Sequence, residues 1–250
     1  MPYIPNDYLE FRDVFVGGGS IFLAAKQQKN IKAKYVICDI NFDLICFWRE
    51  LQAHPEELRE AVLWERDSIT EGKKLYDFYL NYNPSNNFER AIRYYVLNRI
   101  SFSGLVDTGG YSKGSFEGRF TDSIIDRLVK VSNLIKNIEI VYGDYEQILF
   151  KPGENVFIFL DPPYFSYSIK KLYGKKGKIH IEFDHERLAK NLKKCKHKWL
   201  MTYDDHKVIR DYYSSFSNIK KWSLKYGMSN KKGENGSKLG NELIISNFTI

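Results

Sequence analysis

The chain has 250 residues, 43% of them hydrophobic, enough to bury a sizeable core either as one domain with an insertion or as two domains. A formal net charge of +7 beside 18 Tyr and 17 Phe suits a polyanionic partner, since cations meet phosphates and rings stack on bases; solubility alone is the equally weighted reading. Three cysteines, Cys38, Cys46 and Cys195, without a zinc-site spacing argue against a disulfide framework and against a metal centre; a reducing cytoplasm is the expected compartment. No stretch is long and apolar enough to span a membrane, and Met1 to Asp7 reads as neither a signal nor a transit peptide.

In chain order, Val14-Phe15-Val16 predicts an apolar strand that runs into Gly17-Gly18-Gly19-Ser20, and Ile21 to Lys26 predicts a helix. Strand, glycine turn and helix open a nucleotide-binding unit, because a backbone without Cβ atoms lets a ligand approach closely. A second strand, Tyr35 to Asp39, ends in an acid about 20 residues on, where a carboxylate accepts from ribose hydroxyls. Asp39 could instead cap the helix through Leu44, Trp48 and Leu51, but Asn41 can serve as that cap and leaves Asp39 free. From His54 to Lys136 charged and aromatic helical stretches replace the strand pattern. Within them Asp107 to Thr121, glycine-rich and carrying Tyr111, Lys113, Phe116 and Arg119, reads as a hairpin or loop. It could enter a groove and meet phosphates and base edges, or be a surface hairpin with no ligand.

Strand character returns at Ile138 to Tyr142, followed by Gly143-Asp144-Tyr145, and again at Val156 to Leu160. That second run ends in Asp161-Pro162-Pro163-Tyr164. Each proline fixes φ and lacks an N–H, and the residue before it is held extended. The Asp161 carboxylate and the Pro162 carbonyl can then aim at one point, where a planar amine with two hydrogens satisfies both while Tyr164 offers a π-face. The bland alternative is a strand end at which Asp161 accepts only backbone hydrogen bonds. The basic stretch Lys170 to Lys178 reads as a phosphate-facing segment or a solvated charge run. Asp184 predicts the N-cap of a helix through Leu188 and Leu192, which makes His185 structural; a strand at Lys198 to Tyr203 leads to a helix beginning at Asp204-Asp205-His206. A loose loop, Ser229 to Lys238, precedes a last strand at Glu242 to Phe248. Strands and helices alternating at both ends of a helical insertion make an α/β chain with ligand loops at the carboxyl ends of its strands.

With Phe15-Val16-Gly17-Gly18-Gly19, Asp39, Gly143-Asp144-Tyr145 and Asp161-Pro162-Pro163-Tyr164 in this order, the chain resembles the Dam-like DNA adenine-N6 methyltransferases over nearly its whole length. Leu97-Asn98-Arg99 with Ser103-Gly104-Leu105, Arg119-Phe120-Thr121, Phe183-Asp184-His185 and Glu242-Leu243-Ile244 are similar to that family too. The resemblance implies a Rossmann-like class I methyltransferase fold: residues 1–53 and 137–250 as the catalytic S-adenosylmethionine-binding domain, and 54–136 as an inserted, mainly helical target-recognition domain with its basic hairpin at about 107–121. It also implies that Phe15, Gly17 and Gly19 shape the methionyl pocket, that Asp39 holds the ribose, and that Asp144 and Tyr145 flank the cofactor's adenine, with Asp161 at the junction with the target. Double-stranded DNA is the implied partner, contacted by Asn98, Arg99, Ser103, Tyr111, Lys113 and Arg119, and the target adenine is flipped out to meet Asp161, Pro162, Pro163 and Tyr164.

One departure from the family pattern bears on activity. The family's Gly-Lys element, which contacts the cofactor upstream of the first glycine strand, has no counterpart in the 13 residues before Val14. Three alternatives follow: truncation, a second polypeptide that supplies the segment, or cofactor binding with fewer contacts. Rival expectations are a catalytically impaired or split-subunit nucleic-acid-binding homologue, and the same amine chemistry on RNA or on cytosine. Restriction-modification, phage self-protection and regulation stay equally open as roles.

Overall fold

The computed structural model describes residues 3–28, 32–69, 71–106, 109–165, 183–226 and 238–250. Its centre is a seven-stranded sheet in the order β3-β2-β1-β4-β5-β7-β6. The strands are β1 (Glu10–Asp13), β2 (Lys34–Asp39), β3 (Ile138–Tyr142), β4 (Val156–Leu160), β5 (Lys198–Asp204), β6 (Asn218–Tyr226) and β7 (Lys238–Ser246). The first five are mutually parallel, whereas β7 runs antiparallel between β5 and β6. The fold is therefore mixed α/β with a mostly parallel sheet, consistent with a Rossmann-like architecture.

Helices cover both faces. On one lie α1 (Ser20–Gln28), α2 (Phe42–Ala53), α3 (Pro55–Ser68), α4 (Gly72–Asn81), α5 (Asn87–Ile100), α6 (Lys113–Arg119), α7 (Asp122–Ile125) and α8 (Arg127–Ile135). Their buried residues, among them Leu58, Leu75, Val96 and Leu128, join Phe11, Tyr35, Phe157 and Leu200 of the sheet in one core, so residues 54–136 share the sheet's core. The second core, beneath α9 (Glu146–Leu149), α10 (His185–Lys194) and α11 (Lys207–Tyr213), gathers Val36, Ile158, Trp199, Met201, Leu188 and Ile209. Period-two alternation along each strand produces the division: Val156, Ile158 and Leu160 face one core while Phe157 and Phe159 face the other.

Several expectations need correction, the last strand among them, which spans Lys238–Ser246 rather than Glu242 to Phe248. Val14-Val16 is not the first strand: β1 lies earlier, at Glu10–Asp13, and Val14 to Val16 continue from it into the turn, with the Val16 amide donating to Cys38 O at 3.0 Å. The patterning misled because β1 contains Glu10 and Arg12, which are buried as an ion pair at 2.7 Å with the guanidinium also donating to backbone carbonyls. The segment 107–121 is not a hairpin in its described part. A single antiparallel bridge, Ser101 to Tyr111, is followed by α6, whose N-cap Ser112 accepts from the Ser115 amide at 3.2 Å. The caps were read correctly at Asn41 and Asp184, whose side chains accept from Leu44 N at 3.2 Å and Arg187 N at 2.8 Å. His206, rather than Asp204 or Asp205, caps α11. All three cysteines are buried. Lys170 to Lys178, Ser229 to Ser237, Asp107 and Thr108 lie outside the described residues. Among the described residues no helix is long and apolar enough to cross a membrane.

Candidate active site

Strand order sets where a ligand can enter. From β1 the chain passes to β2 and β3 on one side, while β4 and β5 lie on the other, which makes the carboxyl ends of β1 and β4 the switch point of the sheet. The alternation that buries Phe11, Ile37, Phe159 and Leu200 in the helix-covered core carries two residues further to Asp13, Asp39, Asp161 and Thr202. Four polar side chains thus line one face of the carboxyl edge on neighbouring strands.

Asp13 is 2% exposed and was not among the residues expected from the sequence. Burial pushes its carboxyl well above the ordinary value, and Asp161 and Asp39 push it further; the Phe15 amide, which donates to it, opposes them. Its Oδ1 is buried without a hydrogen-bond partner, an acceptor awaiting a donor. Asp161 keeps exposed surface toward the crevice, yet the surrounding walls desolvate it and raise its carboxyl, against a hydrogen bond from Thr202. Thr202 Oγ1 donates to Asp161 Oδ1 at 2.7 Å. The Tyr164 phenol donates to the buried Glu242 carboxylate, and its ring stacks on Tyr203 at 6.1 Å between centroids. The next amide, Phe165 N, donates to Asp204 Oδ1 at 2.9 Å.

The glycine turn divides its work unevenly. Gly19 has φ +73°, and a Cβ there would stand 2.5 Å from Phe22 and 2.7 Å from Trp48, so packing requires this glycine. Gly17, at φ +44°, donates through its amide to Asp39 Oδ2 at 3.1 Å, and its carbonyl accepts from Trp48 Nε1 at 3.2 Å. Gly18, outside the expected set, is exposed with open space where a Cβ would stand. Asp39 is not free as expected, because Oδ1 also accepts from Asn41 N at 2.9 Å; it pins the glycine turn to the end of β2.

Phe15, Tyr145 and Phe183 form an aromatic group, with centroids 5.3 Å apart for Phe15–Tyr145, 5.6 Å for Phe15–Phe183 and 6.2 Å for Tyr145–Phe183. Burial pushes the Tyr145 phenol up to about 12, against a hydrogen bond from Asn191. Asp144 is held by Arg187, whose two terminal nitrogens reach its oxygens at 2.9 and 3.1 Å, and the guanidinium lies 5.3 Å from the Tyr145 ring centre. Phe183 and Arg187 carried no role from sequence; they flank the Asp184 cap, and only tertiary packing brings them to Asp144 and Tyr145. His185 is buried and bonds to the Tyr203 hydroxyl, a structural placement.

The six residues expected at DNA are not equivalent. Asn98 donates to Gly104 O at 2.9 Å and Arg119 to Asn98 O at 2.9 Å, so this pair braces the turn Phe102–Gly104. Ser103 stands exposed on that turn at φ +54°. Arg99 lies over the Tyr95 ring at 4.9 Å with its Nε buried and unpartnered, and Tyr111 packs between Tyr76 and Phe116. Lys113 is exposed beside Glu117 at 3.6 Å. Among the described residues no His, Cys, Asp or Glu group could hold a metal ion.

A sheet switch point, a glycine turn after β1 and acids at the ends of β1, β2 and β4 are the arrangement of α/β proteins that bind nucleotide-like ligands. Comparison with known proteins narrows this: the chain belongs to the D12 class N6 adenine-specific DNA methyltransferases, whose family model matches residues 1–228. The type II methyltransferase M.MjaIII of Methanocaldococcus jannaschii is 30% identical over 96% of this chain and 88% of its own length. M.CviBI of Paramecium bursaria Chlorella virus NC1A, also a type II methyltransferase, is 26% identical over 98% of this chain and 92% of its own. A DNA adenine methylase of Vibrio cholerae is 25% identical over 62% of this chain and 56% of its own. The reaction is methylation of adenine N6, and the substrate is DNA.

Proposed function

We propose that the methyl donor is S-adenosylmethionine, held at the carboxyl ends of β1 and β2, and that Asp161 and the Pro162 carbonyl receive the two amine hydrogens of an adenine flipped from the duplex. The observation that carries this reading is the Asp161 carboxylate, open to the switch-point crevice and on the same strand face as the orphan acceptor of Asp13. The residues fit the donor. Asp13 Oδ1 would take the ammonium of its amino-acid end, Asp39 its ribose hydroxyls, and Phe15, Tyr145 and Phe183 its adenine, with Gly18 leaving backbone bare for close approach. Bound there, the cofactor supplies an electrophilic methyl group on a cationic sulfur.

The chain's part is positioning and electrostatics. The adenine amine is a poor nucleophile because its lone pair is delocalised into the ring. Acceptors at both N–H groups favour a pyramidal nitrogen with the lone pair turned out of the plane, and Asp161 would take the amine proton released when the methyl group leaves the sulfonium sulfur for that nitrogen. Tyr164, one ring face covered by Tyr203 and its hydroxyl occupied by Glu242, offers the remaining face to the base. Helices α3 to α8 serve as the target-recognition part, since they cover the sheet face on which Asp161 lies. Ser103 and Lys113 are the expected DNA contacts nearest solvent, while Asn98 and Arg119 act by shaping the turn that carries Ser103.

Asp161→Ala should lose transfer of labelled methyl groups to duplex DNA while keeping duplex affinity in a gel-shift assay; retained turnover would sink the assignment. Calorimetric titration of the wild-type chain with S-adenosylmethionine tests the donor, and binding by the chain alone would dispose of the need for a second polypeptide.

A further inference from the structure

The parallel register of β4 and β5 runs to Leu160 opposite Met201, so the next pair outward is Asp161 beside Thr202. Thr202 cannot drift: its strand is held between β4 and β7, with Thr202 itself opposite Ile244, and a β-branched side chain is restricted at χ1. Its hydroxyl has a single proton and two nearby acceptors, Asp161 Oδ1 at 2.7 Å and Leu160 O at 3.5 Å; the shorter contact, to a carboxylate, takes it. The residues that follow are gripped from the same side of the sheet, Tyr164 by Glu242 of β7 and the Phe165 amide by Asp204 of β5.

We propose that Thr202 is the positioning residue of the methyl-transfer site: its hydroxyl occupies Asp161 Oδ1 and fixes the carboxylate plane, leaving Oδ2 as the acceptor for the adenine amine. This rests on the reading of Asp161 as that acceptor. Thr202 also sets the charge of Asp161. Asp13 on β1, Glu242 on β7 and the Tyr164 phenol face it, and its charge adds to the burial that pushes each of them up. Burial favours the protonated form of Asp161, and the Thr202 donor is what opposes it.

The test compares Thr202→Val, which keeps the shape and removes the donor, with Thr202→Ser, which restores the donor. Steady-state methylation of duplex DNA is measured across about pH 5 to 9. For Thr202→Val, kcat is expected to fall about 10- to 100-fold, the worth of one hydrogen bond to a charged group, with KM for DNA within about twofold of wild type. The acid limb of its profile should move to higher pH, because removing a donor to the carboxylate raises the Asp161 pKa. Thr202→Ser should recover both kcat and the limb. A Thr202→Val enzyme with wild-type kcat and an unmoved limb, or a loss that serine does not recover, overturns the proposal. If valine at 202 does not fold, Thr202→Ala carries the same comparison with serine. Asp161→Ala is assayed alongside: turnover in that variant refutes the acceptor reading itself, a result distinct from any obtained at Thr202.

Discussion

Arg12 offers the sharpest check on how the crevice floor is built. It is fully buried in β1, one residue before Asp13. Its Nε meets Glu10 Oε1 at 2.7 Å, and its terminal nitrogens donate to Ile148 O at 2.8 Å, Lys151 O at 2.6 Å and Pro152 O at 3.0 Å. One guanidinium thus ties the first strand to the connection that leads into β4, the strand that ends at Asp161. Arg12→Met fills a similar volume but strands the Glu10 carboxylate, itself only 9% exposed, together with three carbonyls. Removing one partner of a buried ion pair costs about 3–5 kcal/mol. In a chain of this size each kcal/mol moves the melting temperature by about 2–4 °C, so a fall of about 6–20 °C is expected by circular dichroism. Glu10→Gln combined with Arg12→Met withdraws the stranded charge and should melt above Arg12→Met alone. A single variant that loses less than about 1 kcal/mol, or a double variant that loses the sum of both singles, would refute the claim that this pair is a coupled buried clamp.

Two further variants separate packing from ligand binding. Gly19→Ala drives a Cβ into Phe22 and Trp48 at a positive φ and should lower the free energy of unfolding by about 2–5 kcal/mol in a denaturant titration. Gly18→Ala meets open space, so stability should change by less than about 0.5 kcal/mol while calorimetric affinity for S-adenosylmethionine falls; unchanged affinity would remove Gly18 from the site. Asp13→Asn should weaken that affinity by about tenfold or more, the loss of a charged partner for an ammonium. It should also flatten the pH dependence of stability. The native carboxyl is raised, so the native state holds its proton more tightly than the unfolded chain, and stability declines as pH rises from the ordinary carboxylate value toward the raised native one. Asparagine cannot lose that proton, and a variant whose stability still declines across that window would show that Asp13 is not the source.

What could be read before the structure was what local chemistry dictates. β4 was legible because five apolar residues stop at two prolines, and the caps at Asn41 and Asp184 because a capping side chain bonds only three residues ahead. β1 escaped because Glu10 and Arg12 look exposed until each is seen to bury the other. The edge strand β6 escaped because Lys220, Lys221 and Trp222 alternate no clear apolar face, its outer side being unpaired. The helix at Lys113–Arg119 contains Gly114 and Gly118, which intrinsic propensity disfavours; Phe116, packed on Tyr111 and Phe120, supplies what propensity lacks. Of the proposed site residues, Asp39 and Asp161 stood out in the sequence as acids ending apolar runs. Asp13 and Thr202 did not, because their meaning lies in register: Asp13 matters through its neighbours on β2 and β4, and Thr202 because β5 pairs one residue short of it.

Charge distribution joins these observations. A chain of formal net charge +7 gathers Asp13, Asp39, Asp144, Asp161, Asp204 and Glu242 at one edge of its sheet. Burial raises Asp13 and Glu242, and neighbouring carboxylates add to it: Asp161 and Asp39 at Asp13, Asp161 and Asp204 at Glu242. Such an edge disfavours phosphates and favours a cation with hydrogen-bond donors. The proposed donor has two positive centres, a sulfonium and an ammonium, and the target presents only an uncharged amine. A duplex cannot lay its backbone against this edge without bringing phosphates to carboxylates. On the proposed reading, the backbone is met by surfaces that carry cations, such as Lys113 on α6, while a single extruded base crosses to Asp161. Flipping is, on that reading, more than a way to reach a buried atom: it is the geometry that lets an acidic methyl-transfer site and a polyanionic substrate occupy one protein.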